Sequence, residues 1–191
     1  MIVVMKSASE KSEKVILLGP SGSGKDYLMR KLTEKGLKPG LKTTTRPQRK
    51  FEVHGITYDF ISENIFKDKL NKNEFLSYQI FNVTPEGRDR ETWYYGITND
   101  EFNNSQVMIM TPEELKNITT EVRKECFVVY LDIDRDIRKM RISGRGDKND
   151  SVERRLDADE VDFLEFNKSG DYDLRVTDPD FNAEDIYDLM A

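Results

Sequence analysis

At 191 residues the chain has room for one domain with a well-buried core and a modest insertion. Hydrophobic residues make up 37% and charged residues 35%, a globular composition, and 30 Lys+Arg against 36 Asp+Glu leave a formal charge of −6, so there is no general basic field to hold a nucleic-acid backbone or an anionic membrane. The single cysteine, Cys126, and single histidine, His54, exclude an internal disulfide and a Cys/His zinc cluster, and argue against a histidine-dependent hydrolase.

The apolar run 1–5 is too short for a signal peptide, and no apolar stretch reaches about 18 residues, so a soluble cytoplasmic protein is expected. Residues 15–18 read as a strand, 19–25 as a glycine-rich loop, and 27–32 carry helical spacing that Gly36, Pro39 and Gly40 bring to an end. Residues 57–61 alternate with β formers, Ser62 can cap a helix bearing Ile65, Phe66 and Leu70, and 75–83 read as strand. Residues 84–93 are polar and turn-prone, which predicts a surface loop or hairpin before Tyr94, Tyr95 and Gly96, and His54 beside Gly55 reads as a solvated turn residue.

Strand and helix then alternate again. Residues 107–110 form a buried-type strand, and Thr111, Pro112, Glu113 and Glu114 supply an N-cap, a proline at N1 and a capping-box glutamate for one helix reaching Lys124. A strand over 127–131 precedes a helix capped by Asp134 and running to Arg141, on which Arg138 reads as a solvated residue. Beyond Gly144, Arg145 and Gly146 a longer helix is expected over 151–168, then a strand over 174–176 and a closing helix over 183–190. Asp132 and Asp134 read as loop or cap residues, and Trp93 and Tyr130 as packing.

Gly19, Gly24 and Lys25 have the spacing of a phosphate-binding loop, set between a strand and a helix as that motif requires. Its glycines let main-chain N–H groups curl around an anion at a helix N-terminus, while the lysine reaches the outer phosphates. The expected ATP contacts are therefore Gly19, Pro20, Ser21, Gly22, Ser23, Gly24, Lys25, Asp26 and Tyr27. Asp26 stands where a Ser or Thr hydroxyl would meet Mg²⁺. Two roles fit it: a carboxylate ligand to the metal, or an acidic first-turn residue favoured by the helix dipole.

Thr44, Thr45, Arg46, Arg49, Glu52, Gly55, Tyr58 and Phe60 form a pattern that resembles the guanylate kinase family, whose members transfer the terminal phosphoryl group of ATP to GMP or dGMP. The resemblance continues at Tyr94, Tyr95 and Gly96, at Arg141, Arg145 and Gly146, at Ser151 through Arg155 and Leu156, and at Val176, Thr177 and Asp178, covering most of the chain from about residue 15 onward. It implies an α/β fold with a P-loop NTPase-type parallel sheet core flanked by helices (13–41, 97–140 and 169–191), an inserted β-rich NMP-binding lobe (42–96) and a short helical lid (141–168).

By the same resemblance Arg46, Arg49, Tyr58 and Tyr95, with Glu52 in the same motif, hold the acceptor phosphate, a dianion that forked guanidinium groups and phenol hydroxyls suit. Lys25, Arg141, Arg145 and Arg155 meet the charge on the transferring group, with Mg²⁺ and ATP as cofactors. The positions that read guanine in the family hold Lys42, Ser77, Ile97 and Thr111 here; no carboxylate is among them, and Gln79, Asn82 or the 84–93 segment can reach the base instead. The strand over 107–110 also lacks the family's acidic pair, which leaves Asp26 to supply a metal carboxylate.

The expected function is an ATP-dependent (d)GMP kinase acting on a small-molecule acceptor. The alternatives are a kinase for a non-guanine or modified base and a non-catalytic protein-binding module; Lys25 and the lid arginines argue against the latter, and the charge of −6 argues against a polynucleotide acceptor.

Overall fold

The computed structural model describes residues 3–5, 14–50, 52–83, 89–144 and 151–190. They fall into two compact units, Met1–Leu37 with Val107–Ala191, and Lys38–Gln106. The described residues of the segment expected as a short helical lid, 141–168, are grouped with the first unit.

The first unit is built on a five-stranded sheet. Strand β2 (Lys14–Leu18) lies inside it, flanked in parallel by β7 (Val107–Ile109) and β8 (Cys126–Leu131); β9 (Leu174–Val176) extends it in parallel beyond β8. All six residues of β8 are buried, as expected for a parallel strand covered on both faces. Alternation divides the core between those faces. Val15, Leu17, Val129 and Leu131 pack with Leu28 and Leu32 of α1 (Lys25–Glu34) and with Ala183 and Ile186 of α8 (Ala183–Met190). Tyr130, pointing the other way, stacks on Phe163 of α7 (Val152–Ser169), with ring centroids 5.6 Å apart.

Two features of this unit differ from the sequence reading. Residues 3–5 form a strand, β1, antiparallel to β9, which their brevity and position at the chain start did not signal. The single helix expected over 112–124 is two: α4 (Pro112–Lys116) and α5 (Thr120–Lys124). The capping box of Thr111 and Glu114 starts α4 as expected, but Thr119 accepts a bond from the Val122 N–H and starts a second helix. A threonine side chain that caps a new turn competes with continuing the old one. The first unit is completed by α6 (Arg135–Ser143), capped by Asp134.

The second unit contains β3 (Thr43–Thr44), β4 (Asp59–Phe60), α2 (Glu63–Asn71), β5 (Phe75–Val83), β6 (Glu91–Thr98) and α3 (Asn99–Asn104), with sheet order β4-β3-β6-β5. β5 and β6 form a long antiparallel ladder in which Trp93 pairs with Phe81. Strand begins at Glu91, within the 84–93 segment expected as a surface loop or hairpin, and the antiparallel pairing of Val83 with Glu91 agrees with the hairpin; residues 84–88 lie outside the described residues. Fully buried Phe66 of α2 stacks on Phe75 at 4.3 Å and lies 5.3 Å from Tyr94. Gly96 is needed at this contact, because a Cβ there would come within 2.5 Å of the Phe75 ring.

Candidate active site

The loop between β2 and α1 is shaped by its own main chain and by α6. Ser23 N–H donates to the Pro20 carbonyl at 3.2 Å, and Gly24 sits at the N-cap of α1 in the left-handed region without a side-chain cap. The first N–H groups of α1 are thus left for an anion. Gly22, at φ 77°, could carry no Cβ, since one would lie 2.9 Å from the Arg138 carbonyl oxygen. The Lys25 ammonium folds back to donate to the carbonyls of Gly19 (2.5 Å) and Pro20 (3.0 Å). Ser23 is fully buried, while Asp26 and Tyr27 are exposed, Tyr27 lying edge-on to Phe181. An anionic triphosphate fits this cradle of uncapped N–H groups and one lysine.

Asp26 is the acidic residue in the first turn of α1, and among the described residues there is no cluster of three or more His, Cys, Asp or Glu able to hold a metal. One exposed carboxylate beside a phosphate cradle suits Mg²⁺, which commonly takes one or two carboxylates together with substrate phosphates.

Of the expected lid arginines, Arg141 reaches the loop: its Nη1 donates to the carbonyls of Gly22 (3.3 Å) and Ser23 (3.2 Å), and its Nη2 to Pro179 (2.6 Å). Arg155 is partly buried on α7, and Arg145 lies outside the described residues. Arg138, expected on a solvated face, is instead buried at 4% exposure. Its Nε donates to the Ile133 carbonyl at 2.9 Å and its Nη1 lies 3.6 Å from the carboxylate of Asp159. The reason is that α6 turns this residue toward α7, which supplies a counter-charge.

In the second unit Arg46 is the organising residue. Its guanidinium meets both carboxylate oxygens of Glu52, at 2.9 and 2.7 Å, and donates to the Tyr95 hydroxyl at 3.0 Å and the Pro47 carbonyl at 2.8 Å. Arg46 lies 5.5 Å from the Tyr58 ring centroid and 5.6 Å from that of Phe60. These bonds use four of its five N–H donors. Glu52 also accepts the Arg49 N–H at 2.8 Å. Burial pushes the Glu52 carboxyl up, but these donors outweigh it and hold it below its ordinary value, while the Arg46 guanidinium is raised. The structure thus gathers Arg46, Glu52, Tyr58 and Tyr95, together with the Arg49 main chain. Glu52 acts on the arginine.

Of the remaining expected base contacts, Lys42, Ser77 and Ile97 lie in the second unit and Thr111 in the first. Ser77 (3% exposed) and Ile97 are buried opposite one another on β5 and β6, and the Ser77 hydroxyl has no hydrogen-bond partner among the described residues. The Lys42 carbonyl accepts from Asp59 N–H at 2.8 Å. Thr111 belongs to the first unit, where its hydroxyl is taken up in capping α4. On β5 it is Gln79 that lies directly across from Tyr95, and the Phe81 ring meets Tyr95 edge-on at 5.5 Å.

A phosphate loop leaving an interior strand of a largely parallel sheet, with cations folded over it, defines a nucleoside-triphosphate-binding α/β protein. The guanylate kinase family model matches residues 11–189. A guanylate kinase of Nostoc sp. is 30% identical over 175 residues, covering 88% of this chain and 83% of the relative. One from Helicobacter pylori is 32% identical over 145 residues, 74% and 69% of the two chains. The crystal structure of guanylate kinase from Anaplasma phagocytophilum superposes with a TM-score of 0.64 at 18% identity, over 94% of this chain and 86% of that one, and so shares the fold. The chain belongs to the guanylate kinase family, and is a phosphotransferase of the nucleoside monophosphate kinase class. No described helix is long and apolar enough to cross a membrane.

Proposed function

We propose that the protein transfers the γ-phosphoryl group of ATP to GMP or dGMP in the cytoplasm, with residues 42–96 holding the acceptor and 141–168 closing over the donor. The observation that carries this reading is the Arg46 clamp: a buried guanidinium aligned by Glu52 and Tyr95, with one N–H left over among the described residues, suits a phosphate dianion. Arg49 and the Tyr58 hydroxyl complete that pocket. Gln79, opposite Tyr95, offers an amide whose N–H and C=O complement O6 and N1–H of guanine, beside Ser77.

On the donor side the uncapped main-chain N–H groups at the start of α1 bind the triphosphate, and Lys25 exchanges its two carbonyl partners for phosphate oxygens. Arg141 already touches the loop, and with Arg145 and Arg155 it supplies positive charge to the equatorial oxygens. Asp26 would help to hold Mg²⁺, which would supply positive charge to the phosphates. The protein's work is to align donor and acceptor and to exclude water.

The test is turnover of a panel of ribo- and deoxynucleoside monophosphates with ATP and Mg²⁺, followed by ADP release. GMP and dGMP are expected to give the highest kcat/KM, and Gln79→Ala to raise the GMP KM about tenfold or more. Turnover of another base in preference to guanine would overturn the acceptor assignment; ATP binding without any turnover would overturn catalysis.

A further inference from the structure

α7 carries Val152, Arg155, Leu156, Asp159, Phe163 and Phe166 along its less exposed side, a stripe of helical spacing. Asp159 is the carboxylate on that stripe, with its side chain 16% exposed. One of its oxygens accepts the main-chain N–H of Ser21 at 2.9 Å and the other accepts the Ser21 hydroxyl at 3.3 Å. Among the described residues, Asp159 is the one acid within 4.0 Å of buried Arg138, whose Nη1 has no hydrogen-bond partner.

The phosphate loop is therefore gripped by two helices through opposite main-chain groups. α6 takes its carbonyls, through Arg141 on Gly22 and Ser23; α7 takes an N–H, through Asp159 on Ser21. The two helices are tied by the Arg138–Asp159 pair. Asp159 follows Arg155 by four residues, so the two share a helix face and a fixed rotation of α7 places both. A charge-assisted bond between a mostly buried carboxylate and a main-chain N–H defines that rotation more narrowly than apolar packing does.

The structure assigns to Asp159 the part of a positioning residue: it fastens α7, and with it Arg155, to the outer turn of the phosphate loop, so that loop and arginine form one frame. Phosphoryl transfer depends on such placement, because a misplacement of about 1 Å in a reacting geometry lowers rates by roughly a hundredfold. In its kinetic readout the assignment rests on the kinase reading above.

The test compares three variants of the full chain. Asp159→Ala removes the bond but strands the Arg138 charge. Asp159→Asn keeps a carbonyl oxygen for the Ser21 N–H. The double variant Arg138→Leu/Asp159→Ala removes the buried pair together, which spares the fold an uncompensated charge. For each, Tm, ATP affinity and the kinetics with ATP and GMP are measured.

The double variant is expected to melt near the wild type yet to lose kcat by about tenfold or more, with KM for GMP changed less than about twofold. Asp159→Asn should recover most of that loss. A double variant with wild-type Tm, kcat and ATP affinity would make the contact purely structural and overturn the assignment. If the wild type itself turns over no GMP, the kinase reading fails separately and ATP affinity decides: about fivefold weakening in the double variant supports the role of Asp159, and unchanged affinity refutes it.

Discussion

Arg46 and Glu52 show how a single buried pair can organise its surroundings. Their side chains are 4% and 14% exposed, and removing one partner leaves the other charge buried. Glu52→Gln is accordingly expected to lower unfolding free energy by about 3 kcal/mol in denaturant titrations and to raise the GMP KM at least about tenfold. The pH dependence has a definite sign. Glu52 has a folded-state pKa below its ordinary 4.5, so its stabilising contribution is complete above that value and is lost as pH falls through the depressed one. Thermal melts from pH 7 down to pH 3 should show a fall in Tm at the acid end that is smaller in Glu52→Gln. At the other end of the scale, burial pushes the Cys126 thiol up to about 11. Its thiol donates to the Val122 carbonyl, and alkylation of the native protein at pH 8 should be far slower than after unfolding; equal rates would contradict the burial.

Among the elements, those written in local periodicity were readable in advance and those that depend on competition were not. β2, α1, β8 and α8 were legible because their apolar spacing, glycines and caps agree with one another. The split between α4 and α5 was hidden because Thr119 is an ordinary helix residue until it is seen capping Val122. β1 was hidden because three residues acquire a strand's identity only by pairing with β9. In the site, the glycine loop and the motif of Arg46, Glu52 and Tyr58 stand out because close sequence spacing carries the chemistry. The Ser21, Arg138 and Asp159 contact joins three distant segments, and its sole local signal was a charged residue on each helix stripe that ought to be apolar. Gly96→Ala tests the element scale: with a Cβ only 2.5 Å from Phe75, the aromatic contact under β6 must shift, and a loss of about 1 to 3 kcal/mol is expected in urea melts. An unchanged midpoint would show that Phe75 relaxes freely.

Taken whole, the proposed function divides anion binding between two units, each with a separate solution. In that proposal the unit containing the five-stranded sheet offers main-chain N–H groups and Lys25; the unit of residues 38–106 offers the side chain of Arg46, fixed by Glu52. Such a division predicts separable defects. Lys25→Ala should lower kcat by about a hundredfold or more through loss of charge on the transferring group, with little change in GMP binding. Arg46→Ala should act mainly on the GMP KM. The central claim, that these two anion sites serve one transfer, is tested most directly by incubating the protein with Mg²⁺ and ATP carrying a labelled γ-phosphate, with and without GMP, and separating the products. The account predicts label in GDP matched one to one by ADP, and almost none released as phosphate; ADP formed without GMP, or label appearing only as inorganic phosphate, would contradict it.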